Sequence, residues 1–356
     1  MTGRLTVDLN ALAQNYRTLA ALDQGPCSAV IKADAYGLGM SPVARRLWSV
    51  GCRHFFVAFV EEGVQLRREL PDAEIFVLEG VHPDALQAMR AYRLTPVLNT
   101  VGQCDLWSDG DLPAALHIDT GMTRLGLPVE TDPGSLPRLN LKYLMTHLAR
   151  ADEFSNFHTQ AQVDAFSSAF ARFQVAYPEI GLSINNSAAL LSTDLGTPLP
   201  VALHRPGIAL YGSHPGPISE GGDNCLQTVA LLEGRVLQVR RVEAGTAVGY
   251  GGTYVTQRPA RLATINVGYA DGVPRLLSNV GCVFAQQRRL PIVGRVSMDS
   301  IQVEIGTLEL SEGDWVEIFG PHVPIDEVAA QCQTISYEVL TGLGQRLERT
   351  YLGDGA

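Results

Sequence analysis

A chain of 356 residues, 46% of them hydrophobic and only 18% charged, is long enough for two domains and can bury a sizeable core. Its formal net charge of −10, with no basic run or stripe, excludes a nucleic-acid surface. No apolar stretch reaches membrane-spanning length, and no basic segment leads into an apolar run and a cleavage site, so a cytoplasmic protein is expected.

Short apolar runs at 27–31, 55–59, 75–78, 94–98, 114–118, 142–146, 182–185 and 207–210 read as strands, with helical patterns filling most of the gaps. Ser41-Pro42 reads as a helix start, Ser as N-cap and Pro at the first helical position. Residues 84–93 and 160–177 carry apolar side chains at helical spacing. Eight strands with intervening helices suggest an α/β fold, a closed (β/α)8 barrel over 10–215, with a doubly wound sheet as the alternative.

Beyond about residue 215 the texture changes. The stretch 213–224 (SHPGPISEGGDN) reads as a linker. After it come β-type runs at 230–242, 261–268, 280–285, 290–296, 300–305 and 314–319, and a little helix near 325–343. The expectation is a second, mostly β domain over 225–356, to which the opening run Arg4 to Leu9 can add a strand. The six cysteines (27, 52, 104, 225, 282 and 332) are scattered without metal or redox spacing, so they read as small buried hydrophobes and no metal site is expected.

The chemistry-bearing segments are short. In 27–39, CSAVIKADAYGLG, a buried-type strand ends in Lys32. A lysine desolvated at the carboxyl end of a barrel strand can be a nucleophile for a carbonyl. By position alone, a strand-end lysine whose stem covers apolar surface is the plainer reading. In 203–212, LHRPGIALYG, Gly207 lets backbone N–H groups approach an anion, and Arg205 stands beside it. Asn185, Asn186 and Ser187 could donate to a phosphate, or simply form a turn. Tyr250 lies between glycines in VGYGGTY, a pattern that alone means a tight turn.

Taken in order, A-V-I-K-A-D-A-Y-G-L-G, H-I-D-T-G-M-T-R-L-G, H-L-A-R-A-D, N-N-S-A-A, R-P-G-I-A-L-Y-G, V-G-Y-G-G-T-Y, G-Y-A-D-G and V-G-R-V-S-M-D resemble the signature blocks of the alanine racemase family. The resemblance runs from about residue 4 to residue 340. It implies a (β/α)8 barrel followed by a β domain, pyridoxal 5'-phosphate as cofactor, and a homodimer with shared active sites. The implied reaction interconverts L- and D-alanine by two bases and supplies D-alanine for peptidoglycan. Lys32 matches the lysine that holds the cofactor and works on the D-side of the substrate. Tyr250 matches the base of the L-side, contributed by the partner subunit. Arg205 matches the arginine at the pyridine nitrogen. Tyr36, Asn186, Ser187, Gly207, Ile208 and Tyr337 fall among the groups around the phosphate. His147 matches a histidine against the cofactor ring that links Arg205 to the catalytic tyrosine. Arg124, Met298 and Tyr269 match substrate contacts, the last at a narrow entrance.

These roles make chemical sense. Racemisation takes a proton from one face of Cα and returns one to the other, so two bases serve it without moving the substrate. Arginine keeps its proton, so Arg205 leaves the ring nitrogen unprotonated and weakens the electron sink, which disfavours transamination. Tyrosine, with an ordinary pKa of about 10, is a weak base unless a nearby cation favours the phenolate.

One position departs from the family. Many members have a lysine, carrying a carbamate that orients the arginine, two residues before the aspartate of H-I-D-T-G. Here that residue is His117. Strand alternation puts His117 and Asp119 on one face. Arg124 then needs another partner, expected to be a small anion such as chloride backed by His117, with Asp119 as the alternative. The competing functions are a racemase of another small amino acid such as serine, a decarboxylase on the same fold, or a non-catalytic pyridoxal-phosphate-binding protein. Arg205 argues against the decarboxylase, and the second domain argues against the non-catalytic protein.

Overall fold

The structure is a computed structural model, and it describes residues 3–108, 111–153, 157–192, 200–216 and 224–353. The first strand, β1 (Gly3–Asp8), hands the chain to α1 (Leu9–Ala20), whose N-terminus is capped by the Asp8 carboxylate accepting from the Asn10 and Ala11 N–H groups. A parallel sheet follows, β2 (Ala29–Val30), β3 (His54–Val57), β4 (Glu74–Val77), β5 (Thr95–Leu98), β6 (Pro113–Asp119), the two-residue β7 (Leu127–Pro128) beside β6, β8 (Asn140–Met145) and β9 (Gly181–Ser183). Between them lie α2 (Lys32–Tyr36), α3 (Met40–Ser49), α4 (Val60–Glu69), α5 (Leu86–Ala91), α6 (Val101–Trp107) and α7 (Phe157–Ala176), and α8 (Ser187–Leu191) follows β9. The strands read as unbroken apolar runs because both faces are covered, by helices outside and by the opposite strands inside.

An extended segment, residues 203–206, closes the barrel. Arg205 N–H donates to Asn185 C=O at 2.8 Å on one side, and Val30 N–H donates to Pro206 C=O at 3.0 Å on the other. The sequence reading put this eighth strand at 207–210, but those residues form a turn of 3-10 helix (Ile208–Tyr211). The strand sits four residues earlier because Pro206 cannot donate to a longer ladder and Gly207 bends the chain. The expected Ser41 cap is also displaced. Helix α3 begins at Met40 behind Gly39, and the Ser41 hydroxyl donates to Glu69 at 3.0 Å instead. Helix α7 packs through Val163, Phe166, Phe170 and Phe173, a helical spacing that the sequence displays openly.

The second domain is an eight-stranded sheet whose path runs β15-β14-β17-β10-β1-β18, with β13 pairing β10 and β16. Its members are β10 (Ala230–Val242), β13 (Ala260–Ile265), β14 (Cys282–Ala285), β15 (Arg288–Pro291), β16 (Ile301–Glu304), β17 (Trp315–Phe319) and β18 (Glu348–Leu352), with a small separate hairpin of β11 (Ala247–Val248) and β12 (Tyr254–Val255). Strand β1 lies antiparallel to β10, with Leu5 opposite Leu232, and parallel to β18. The first strand of the chain is therefore part of the last domain, and α1 is the lead from one to the other. Two short helices, α9 (Ile325–Gln331) and α10 (Ser336–Thr341), turn back towards the barrel mouth.

Four cysteines (27, 52, 104 and 332) are buried, Cys282 is partly so, and Cys225 is exposed, which corrects the buried reading at that position. Within the expected linker, residues 217–223 lie outside the described residues. Among the described residues no helix is long and apolar enough to cross a membrane.

Candidate active site

The carboxyl ends of the barrel strands open into a cavity of about 880 Å3. Lys32 stands on its wall just past the carboxyl end of β2, next to Ile31, whose N–H still donates to Phe56 C=O of β3 at 2.9 Å. It opens an unusual turn in which Ala33, Asp34, Ala35 and Tyr36 all have φ between 53° and 58°. Left-handed backbone costs non-glycine residues roughly 1–2 kcal/mol each, so this turn must be held from outside. The Glu62 carboxylate accepts from the N–H groups of Ala33 at 2.6 Å and Ala58 at 2.7 Å, and Asp34 accepts from Met40 N–H at 2.7 Å. The second domain presses on it too. A Cβ on Gly37 would stand 2.6 Å from the Leu340 carbonyl oxygen, and Tyr351 Oη donates to Leu38 C=O at 3.0 Å. The turn puts Lys32 and Tyr36 on the same cavity. Burial, then repulsion from Arg124, pulls the Lys32 amine below its usual pKa, with Glu62 opposing.

Tyr36, Ser187, Gly207 and Tyr337 meet at one end of this cavity. Ser187 Oγ accepts from Gly207 N–H at 2.8 Å and Ala209 N–H at 3.3 Å, leaving its own hydroxyl proton to donate. The Tyr36 ring packs between Tyr211 and Tyr337, at 4.8 and 5.8 Å between centroids. Burial pushes the Tyr337 phenol up to about 12 and Tyr36 higher, so both remain neutral donors. A Cβ at Gly207 would come within 2.3 Å of Tyr36 Oη. Hydroxyl donors around a side-chain-free backbone fit a phosphate, whose oxygens only accept. Asn186 also lines the cavity, where its Oδ1 accepts from Ala189 N–H to cap α8 and its Nδ2 donates to Leu148 C=O at 3.3 Å. Ile208 is fully buried beneath the cavity and does not line it.

Arg205 is buried in the extended segment, and burial lowers its guanidinium to about 10, still charged at neutral pH. Its Nη1 donates to the Ser183 hydroxyl and its Nη2 to Thr146 C=O at 2.6 Å and Ile184 C=O at 3.5 Å. Among the described residues Nε has no hydrogen-bond acceptor, and Arg205 lines the cavity. His147 lines the cavity, and burial followed by the charges of Arg205 and Arg124 drives its ring down to about 3, so it is neutral. The expected link between Arg205 and His147 is not a hydrogen bond here, because the Nη donors serve the strands instead. Asp119 is not the partner of Arg124 either. Its Oδ1 accepts from the N–H groups of Gly121, Met122 and Thr123 at 2.9–3.1 Å, and it does not line the cavity. His117 does line it, with Nδ1 3.0 Å from Asn99 Oδ1.

The remaining candidates are on the β domain. Tyr250, Tyr269 and Met298 are 73%, 44% and 52% exposed, and none touches the cavity. The turns that carry Tyr269 and Met298 are braced by hydrogen bonds. The fully buried Asp271 accepts from Arg346 Nε at 2.7 Å and from Gly268 N–H at 2.9 Å, and Arg346 also bonds Asp299 at 2.7 Å. Tyr269 N–H donates to Ser297 C=O and Ala270 N–H to Met298 C=O, which ties the two turns together.

Residues 7–215 match the alanine racemase N-terminal domain, and residues 229–351 match the alanine racemase C-terminal domain. The chain belongs to the alanine racemase family. A catabolic alanine racemase of Agrobacterium fabrum is 43% identical across 99% of this chain and 93% of its own. An alanine racemase of Brucella suis is 42% identical across 98% of this chain and 93% of its own. The crystal structure of alanine racemase from Bartonella henselae, with covalently bound pyridoxal phosphate, superposes with a TM-score of 0.90 at 39% identity, over 99% of this chain and 100% of that one. The biosynthetic alanine racemase of Pseudomonas aeruginosa gives 0.87 at 33% identity, over 98% and 99%.

Several residues of this alanine racemase site escaped the sequence reading. Glu62 and Asn99 stand in segments without a motif, and only the fold brings them to Ala33 and His117. Ser183 was visible as the first residue of SINNSAA, and Thr146 as the end of a strand, but their service to Arg205 needed the closed barrel.

Proposed function

We propose that this chain is a pyridoxal-phosphate-dependent racemase that interconverts L- and D-alanine. The observation that carries the reading is the single cavity that gathers Lys32, Tyr36, His147, Ser187, Arg205, Gly207 and Tyr337. Pyridoxal phosphate, when bound, supplies the electron sink that makes the substrate Cα proton acidic. Lys32, with its lowered pKa, is the amine that holds the cofactor and then carries the proton on one face of Cα. Tyr36, Ser187 and Tyr337 donate to the phosphate, and Gly207 lets it come close. Arg205 keeps its own proton and donates towards the ring nitrogen, so the nitrogen stays unprotonated. Arg124 receives the substrate carboxylate.

The second base is Tyr250 of another copy of the chain. Its 73% exposure outside its own cavity supports a homodimer in which Tyr250, Tyr269 and Met298 complete the neighbouring site. A racemase equilibrates two enantiomers of equal energy, so neighbouring enzymes set its direction. Supply of D-alanine for peptidoglycan in the cytoplasm is the biosynthetic use of that equilibrium. The test is direct: the protein, loaded with pyridoxal phosphate, is given L-alanine or L-serine, and the enantiomers are separated on a chiral column. D-alanine forming much faster than D-serine supports the reading, and no D-isomer from either sinks it.

A further inference from the structure

One carboxylate on the cavity wall has no part in the reaction described so far. Asp326 stands in the first turn of α9 and lines the cavity. Its oxygens face donors from two other parts of the chain. Oδ1 accepts from the Ser213 hydroxyl at 2.5 Å and from the Ser336 hydroxyl, and Oδ2 accepts from His214 N–H at 3.1 Å. Ser213 and His214 lie just past the 3-10 turn that follows the last barrel segment, and Ser336 opens α10. One side chain therefore ties the exit of the barrel to the second domain, across 113 positions of sequence. Its base is anchored as well. Glu327, the next residue, turns towards β15 and accepts from Arg289 Nη1 at 2.6 and 2.8 Å.

Ser213 and Ser336 are buried, so water competes little for their hydroxyls, and bonds to a carboxylate are stronger than neutral ones. What the tie controls is the residue after Ser336. Tyr337 has its ring 5.8 Å from that of Tyr36, and its hydroxyl has no hydrogen-bond partner among the described residues. Farther along α10, Leu340 C=O stands over Gly37 beside the lysine turn. Helix α10 has only six residues and no side-chain cap at its start, so it cannot fix its own position. Asp326 supplies the missing hold. Burial, then Asp152 and Asp326, also keep the Tyr337 phenol protonated.

We propose that Asp326 is a positioning residue for the cofactor phosphate: by latching Ser336 to the barrel exit at Ser213 and His214, it holds Tyr337 where its hydroxyl donates to the phosphate. The inference rests on the racemase reading of this cavity and deepens it at the phosphate end. It also explains how an acidic side chain is tolerated there, because three donors offset a charge that would otherwise repel the phosphate.

Titration of the full-length, cofactor-free protein with pyridoxal phosphate, and with pyridoxal, which lacks the phosphate, tests it. In Asp326→Ala, and in the milder Ser336→Ala, the dissociation constant for pyridoxal phosphate is expected to rise by about tenfold, while that for pyridoxal stays within about twofold. Tyr337→Phe should give a similar rise, and adding Ser336→Ala to it should cost little more, because both act through one hydroxyl. In Asp326→Asn the amide oxygen can still accept from both serines, so its loss should be smaller than that of Asp326→Ala. Equal weakening of both ligands, losses that multiply in the double variant, or tighter phosphate binding in Asp326→Asn overturns the proposal. An unaltered protein that binds pyridoxal as tightly as pyridoxal phosphate defeats the parent reading of the cavity. A normal preference for the phosphate form that survives in both Asp326→Ala and Ser336→Ala defeats this inference alone.

Discussion

The barrel mouth and the β-domain face obey opposite rules. At the mouth, Arg205 and Ser187 are almost fully enclosed, and both are held by bonds to strands and turns of the same chain. On the β-domain face Asp271 and Arg346 brace the turns of Tyr269 and Met298, but those two side chains, and Tyr250 with them, are exposed. A side chain that is ordered at its base and exposed at its tip is prepared for something outside its own chain. The cofactor half of the site is thus gathered within one chain, whereas Tyr250, the proposed second base, lies outside that chain's own cavity.

The harshest way to break this comparison is at Lys32. Lys32→Ala is expected to lower racemisation by about 10⁴-fold or more, since one residue both holds the cofactor and moves a proton. Borohydride reduction of the unaltered holoenzyme should fix the cofactor on the Lys32 peptide. A label on Lys142, the only other lysine in the chain and one paired with Glu74 at 2.8 Å, would place the cofactor elsewhere. Next comes Tyr250→Phe, which should slow α-hydrogen exchange from L-alanine by about 10²–10⁴-fold, far more than from D-alanine. Equal losses from both enantiomers would argue for one base. Mixing inactive Lys32→Ala with inactive Tyr250→Phe chains sharpens the point. Random pairing should restore about a quarter of the original sites, because each hybrid dimer carries one intact pair. No recovery despite demonstrated subunit exchange would mean that the two residues meet within one chain.

The smallest effect is on stability, and it belongs to the barrel mouth alone. Unfolded histidine takes up a proton at about pH 6.5, whereas folded His117 does so near 4 and folded His147 near 3. Acid therefore favours the unfolded chain, and stability present above about pH 6.5 is lost as pH falls towards 4, with His204 acting in the same sense. The loss is on the order of a few kcal/mol. Unfolding of the cofactor-free protein, followed from about pH 7 to 4.5, should show it, and His117→Gln should flatten the slope. An identical slope in that variant would mean His117 does not report the cavity.

Legibility followed distance along the chain. The barrel strands and α7 were readable because their apolar period is local, and the site blocks because each keeps its chemistry within about ten residues. The eighth strand was misread by four residues, since LHRPGIALYG carries apolar side chains on both sides of Pro206 and no local pattern says which side pairs. Asn99 reaches His117 across 18 positions and Arg346 reaches Asp271 across 75, so neither partnership leaves a mark on sequence spacing. The left-handed turn was invisible for another reason. Nothing in Ala33-Asp34-Ala35-Tyr36 asks for positive φ, and only the clamps around it impose it.

That turn bears on modularity. Its clamps include Leu340 and Tyr351, both from the far end of the chain, so the barrel is not a detachable part. A fragment that stops at residue 215 keeps Lys32 but loses Leu340, Tyr351 and Tyr337, and residues 33–36 become free to relax to ordinary backbone. Cofactor uptake by such a fragment, compared with the whole chain, would read out how strongly the second domain holds the lysine loop in shape. Undiminished uptake would show that the turn can stand without it.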